Sequence, residues 1–121
     1  NCRAIAGGAN NQLLDCSDVN LLLKREILYA PDFVINAGGL INVMNELLVE
    51  GYNASKARAM TNEIYNQLLT IYEIAQQNGI STHQAAVSLV DYRLKYGIGK
   101  RTEDLCFPFS PDTALTAKSK Q

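Results

Sequence analysis

No apolar run in these 121 residues reaches membrane-spanning length, and no signal-peptide pattern is visible. Neither sign of charge dominates. The net charge of −1 supplies no field for nucleic acid or an anionic membrane, so neither is expected as a partner. Cysteine is scarce and odd in number. Cys2, Cys16 and Cys106 stand far apart without metal-like pairing, which argues against a disulfide scaffold and for a reduced, cytoplasmic setting. The single histidine, His83, has no Ser or Cys nucleophile near it in sequence and is expected on the solvated surface. Asp and Glu form no metal-ligand pattern, so no metal is expected. G-x-G-x-x-G, the P-loop and the nucleophile elbow are all missing, and there is no internal repeat. The tyrosines have no interleaved basic residues and are expected to pack or line rims, not to stack on bases.

What is present fits one soluble globular domain: 47% hydrophobic and 19% charged residues. The most informative stretch is Phe33-Val34-Ile35-Asn36-Ala37-Gly38-Gly39-Leu40-Ile41-Asn42-Val43. An apolar run, expected to be extended, ends in Asn-Ala-Gly-Gly and becomes helical. Gly38 and Gly39 remove side chains at the turn and are free to take positive φ. A helix starting there aims unpaired N–H groups into a crevice. A shorter version, Ala4-Ile5-Ala6-Gly7-Gly8-Ala9-Asn10-Asn11, lies near the start. Two such turns suggest two walls of one site, at the strand edge where open α/β sheets bind ligands. The plainer alternative is a tight turn in which Asn tolerates the left-handed conformation.

Residues 3–6 are a strand candidate, followed by a turn. Ser17 or Asp18 can cap a helix running to about Arg25, and residues 27–30 are a second strand candidate stopped by Pro31. Strand, helix, strand with a short crossover implies parallel pairing and a right-handed connection. Leu40, Val43, Met44 and Leu47 then form a helical stripe. Asn53 is placed to cap a long helix ending near Gln77, with Ala57, Met60, Ile64, Leu68, Ile71 and Ala75 as its apolar face. Gly79 suits its C-terminal end. Ser81 and Gln84 form a capping box for a last helix that ends near Gly97. Residues 99–121 have little periodicity and are expected to be a flexible tail.

Two short strands make no stable sheet alone, and the chain opens on Asn1 without a Met. Both facts suggest a piece of something longer. The fold class expected is α/β: the C-terminal part of a Rossmann-like domain, two short parallel strands followed mostly by α-helices.

The two glycine turns, with Gly51-Tyr52-Asn53, Ile64-Tyr65, Ile74-Ala75 and Gly79-Ile80-Ser81-Thr82 after them, resemble the C-terminal part of the Glu/Leu/Phe/Val amino-acid dehydrogenases, and leucine dehydrogenase most. The resemblance spans roughly residues 3–95. It implies NAD-dependent, reversible oxidative deamination of an L-amino acid to a 2-oxo acid and ammonia. It also implies a cleft between two domains and a homo-oligomer. Residues 1–50 then correspond to the last βα units of the NAD-binding domain, and residues 51–98 to helices packing back towards an N-terminal domain. By resemblance, Ala9 and Asn10 lie near the nicotinamide ribose. Asn36 faces the nicotinamide and the polar end of the substrate. Leu40 and Val43 line the substrate side-chain pocket. Catalytic lysines, an aspartate and the dinucleotide fingerprint are expected before Asn1, so no catalytic residue is expected in this chain. Val87 and Ser88 stand where the family often has Asp-Arg. The alternative is a non-catalytic helical interaction module derived from a truncated dehydrogenase.

Overall fold

A computed structural model describes residues 1–99. The expected tail lies outside them, save Gly99. The order is β1 (Ala4–Ile5), α1 (Cys16–Lys24), β2 (Leu28–Tyr29), α2 (Asp32–Ile35), α3 (Gly38–Glu46), α4 (Ala54–Asn78) and α5 (Thr82–Tyr96). The strands pair in parallel, Ala4 against Leu28 and Ile5 against Tyr29, which is the α/β arrangement expected. Among the described residues no helix is long and apolar enough to cross a membrane.

The two long helices form where local signals put them. Asn53 caps α4 by accepting the Lys56 N–H at 2.9 Å. Gly79 closes α4 in the left-handed conformation, φ 61°, which costs glycine nothing. Ser81 and Gln84 make the reciprocal capping box at the start of α5, and Gly97 ends it at φ 64°. Ile71 and Ala75 of α4 meet Ala85 and Ala86 of α5 in the buried core, with Val34, Tyr72, Ile74, Ile80 and Leu89 packed around them. The alanines let the two helices approach closely.

The first half departs from expectation in four places. Helix α1 is capped by Asp15, not by Ser17 or Asp18. Asp15 accepts the Ser17 N–H at 2.6 Å, while Asp18 reaches back as the second half of a capping box. Residues 33–35 are helical, not extended. Pro31 precedes them with a suitable φ of −57°, and Asp32 accepts the Phe33 N–H, so a single turn forms despite two β-branched residues. Gly38 and Gly39 take no positive φ; they sit in the first turn of α3. A Cβ at Gly38 would touch Thr61 of α4 at 3.5 Å, whereas one at Gly39 would meet nothing within 4 Å. Finally, α3 buries Asn45 where the stripe predicted Leu40 and Val43, which are exposed. Asn45 donates to the Ile41 carbonyl at 2.9 Å, which lets a polar side chain sit against α4.

Two contacts orient the sheet. The Leu28 and Ala30 N–H groups donate to Arg3 and Ile5 carbonyls across the strand pair. On the other side of β2 the Thr82 hydroxyl donates to the Tyr29 carbonyl at 2.6 Å, fastening the start of α5 to the strand.

Candidate functional site

The turn after β1 and the turn after β2 meet. The Asn36 side-chain amide donates to Asn10 Oδ1 at 3.0 Å and lies 3.3 Å from each of the Gly7 and Ala9 carbonyls. The Gln12 amide donates to the same two carbonyls at 2.8 and 2.7 Å. The loop carrying Asn10 is thus folded around two side-chain amides, one local and one from the far turn. Asn11 in this loop is left-handed, φ 57°. That matches the plainer reading of the Asn pair at position 11, while Asn10 makes the contact across the site.

Beneath the pair lies Asp32, buried at 7% exposure. Its Oδ2 accepts the Gln12 N–H at 3.1 Å and its Oδ1 the Phe33 N–H at 2.9 Å. Burial alone would push this carboxyl up, but the N–H groups of Gln12, Phe33 and Asn11, with the Tyr29 hydroxyl, outweigh it and hold it below the ordinary carboxylate value. Burial pushes the Tyr29 phenol up in turn.

These residues line an open cavity of about 530 Å³, bounded by Asn10, Asn36, Asp32, Phe33, Leu40 and His83 among others. His83 is half-buried there and not on the solvated surface as expected. Its ring meets the edge of Phe33 at right angles, centroids 5.6 Å apart, and its Nδ1 is buried without a partner among the described residues. The contact joins residues fifty apart, so only a correct α2 would have suggested it. Asp32 and Phe33 were also missed as site residues. The proline before them was the available signal for a helix start.

Of the residues expected at the site, Asn10, Asn36 and Leu40 share the cavity. Ala9 contributes its carbonyl to Asn36 from the exposed loop. Val43 lies one helical turn beyond Leu40 on the same exposed face but is not part of the cavity wall. Among the described residues no group of His, Cys, Asp and Glu is arranged to hold a metal ion.

The arrangement can do something specific. The Asn36–Asn10 bond uses the nitrogen of one amide and the oxygen of the other. The Asn36 carbonyl and the Asn10 N–H₂ are left without a partner among the described residues. A free acceptor and a free donor on two touching side chains match the hydrogen-bonding groups of a primary carboxamide. Nearby are apolar groups, Phe33 and Leu40, and among the described residues no Lys or Arg lines the cavity.

No family model matches the chain. Comparison with curated proteins and with solved structures does find relatives. The leucine dehydrogenase of Thermoactinomyces intermedius is 44% identical over 94 residues, covering 78% of this chain and 25% of that protein. The phenylalanine dehydrogenase of the same organism is 47% identical over 94 residues, with the same coverage of 78% and 25%. The crystal structure of L-tryptophan dehydrogenase from Nostoc punctiforme superimposes with a TM-score of 0.72 at 47% identity, covering 78% of this chain and 28% of that one. The chain therefore resembles the amino-acid dehydrogenases in both sequence and fold, as its two glycine turns suggested. It spans about a quarter of the length of the relatives it matches.

Proposed function

We propose that a chain so similar to amino-acid dehydrogenases forms the C-terminal segment of one: an NAD-dependent enzyme that reversibly converts an apolar, leucine-like L-amino acid, with water, to its 2-oxo acid and ammonia. Residues 1–50 then close the Rossmann-like domain, and residues 51–98 pack back towards an N-terminal domain that supplies the catalytic lysines and aspartate. The assembled enzyme is a cytoplasmic homo-oligomer in this reading.

The observation that carries it is the Asn36–Asn10 contact at 3.0 Å, which leaves one acceptor and one donor of the pair free among the described residues. That pair fits the carboxamide of a nicotinamide ring, and the cavity has room for the ring. Bound NAD supplies the hydride acceptor for the substrate α-carbon. The residues of this chain only bind and orient: Ala9, Asn10 and Asn36 towards the cofactor, and Asn36, Leu40 and Val43 towards the substrate. Leu40 and Val43 are an exposed apolar pair on one helix face. Such a pair cannot satisfy a buried side-chain carboxylate, whose desolvation is costly, so a glutamate substrate is disfavoured. That the relatives are named for leucine, phenylalanine and tryptophan is consistent with this preference.

The test is a chimera. This chain replaces the matched segment of the Thermoactinomyces intermedius leucine dehydrogenase, and NADH formation is followed with leucine, valine, phenylalanine and glutamate. Turnover of the apolar substrates, and none by the isolated 121-residue chain, is the expected result. A folded chimera that binds no NAD would overturn the assignment. NADH formation by the isolated chain would overturn the view that catalytic groups lie elsewhere. A Val43→Ser chimera should lose part of its apolar preference; an unchanged substrate profile removes Val43 from the pocket.

A further inference from the structure

The Asn10–Asn36 contact joins one exposed and one half-buried amide. Hydrogen bonds between amides open to water hold position poorly, because water competes for both ends. Something else must set the spacing of the two turns. We propose that Asp32 is the positioning residue for the Asn10–Asn36 pair, its buried carboxylate tying the turn that carries Asn10 to the helical turn that carries Asn36.

Three segments converge on it. The Gln12 N–H at 3.1 Å comes from the Asn10 loop, and the neighbouring Asn11 N–H also favours the charged carboxylate. The Phe33 N–H at 2.9 Å comes from α2, whose first residue is Asp32 itself. The Tyr29 hydroxyl, at the end of β2, accepts the Asp32 N–H at 3.3 Å and touches the carboxylate. A neutral side chain at position 32 has one acceptor oxygen at most for these N–H groups. A carboxylate has two, with several lone pairs, and this capacity offsets the penalty of burying its charge.

The loop geometry suits the same role. Asn11 is left-handed, so the successive N–H groups of Asn11 and Gln12 point into one concavity, the arrangement that elsewhere receives an anion. Here the anion belongs to the chain itself. Gln12 shapes the loop internally through the Gly7 and Ala9 carbonyls. Among the described residues only Asp32 and Asn36 cross from one turn to the other by side-chain hydrogen bonds, and Asn36 is the one that must stay free to meet a ligand. The structural tie follows from the contacts alone; its consequence for catalysis rests on the dehydrogenase reading above.

The test has two arms. In the 121-residue chain, Asp32→Asn should speed amide exchange at Gln12 and Phe33 at least tenfold and erase the cross-peak between the Asn10 and Asn36 side-chain amides. The amides of Ile71 and Ala85 should be unaffected. If Asp32→Asn does not fold, the unmodified chain is titrated instead. The Asn10 and Asn36 side-chain signals should then follow the Asp32 carboxyl carbon through its midpoint. Tyr29 on β2 and His83 on α5 are the other titratable groups around the site among the described residues. Side-chain signals that ignore the substitution, or ignore that midpoint, overturn the proposal. In the chimera, Asp32→Asn should raise KM for NAD at least tenfold with a smaller change in kcat; a purely structural role would lower kcat through lost active enzyme and leave KM in place. A chimera inactive even with Asp32 intact counts against the dehydrogenase reading, and the exchange arm still decides the role of Asp32.

Discussion

The two halves of the molecule are held together by different forces. From Ala54 onward, two helices pack through Ile71, Ala75, Ala85 and Ala86, all buried and apolar. Their ends are stopped by caps within one turn of each helix. Before Gly51, burial is thin. Val19, Tyr29, Ala30 and Leu48 are buried, but the two turns that form the cavity are fixed by side chains bonding distant backbone: Asp32 to Gln12, and Asn36 to Gly7 and Ala9. Apolar contact is tolerant of small shifts, and hydrogen bonds are not. The helical half therefore acts as ballast, and the turn half holds the geometry that recognition needs.

The largest expected effect lies in the helical half. Ile71→Ala should cost about 2–5 kcal/mol in denaturant unfolding, the range for truncating a well-packed core aliphatic residue. A cost under 1 kcal/mol would mean that α4 and α5 do not share one core.

Next comes Asp32→Asn, expected to cost about 1–3 kcal/mol by leaving a buried N–H short of its acceptor. Its pH dependence has a definite sign. The folded carboxyl lies below its ordinary value, so its contribution is complete above that ordinary value and is lost as pH falls through the folded one. Acid should therefore loosen the loop around Gln12 before the α4–α5 core, as amide exchange against pH would report. Equal loss in both halves would erase the contrast.

Gly79→Ala should cost about 1 kcal/mol because φ 61° disfavours any Cβ there, although the space is open. The smallest effect has the opposite sign. Gly39→Ala should stabilise the chain by about 0.5 kcal/mol, since the position is helical and unobstructed. Destabilisation would show that the glycine serves the backbone. Stabilisation joined to weaker NAD binding in the chimera would show that it makes room for a ligand.

How legible each half was follows from the same contrast. The caps at Asn53, Gly79, Ser81 with Gln84, and Gly97 are local signals, and all four were readable. The parallel pairing was readable from the order of elements. The cavity was legible only in part. Asn10 and Asn36 stood out because each follows an apolar run and flanks paired glycines. Asp32, Phe33 and His83 did not, because their partners lie twenty to fifty residues away. The helical turn at residues 32–35 was hidden by Phe-Val-Ile, whose preference is for strand and whose helical form depends on Pro31 and Asp32. The exposed faces of Leu40 and Val43 broke the expected stripe, with a polar residue, Asn45, buried in its place.

The Thr82–Tyr29 bond has a consequence for how the sheet grows. Parallel sheets extend by offering the free backbone groups of an outermost strand to the next one. On β2 the outward carbonyl of Tyr29 is already taken by a hydroxyl at 2.6 Å, and the first turn of α5 stands over it. Among the described residues no strand pairs with the other flank of β1. The two-stranded ribbon is therefore one-sided: it can receive a neighbour at β1 and refuses one at β2. A hydroxyl on a helix thus acts as the terminator of the sheet, and gives the ribbon a direction that its two short strands could not supply.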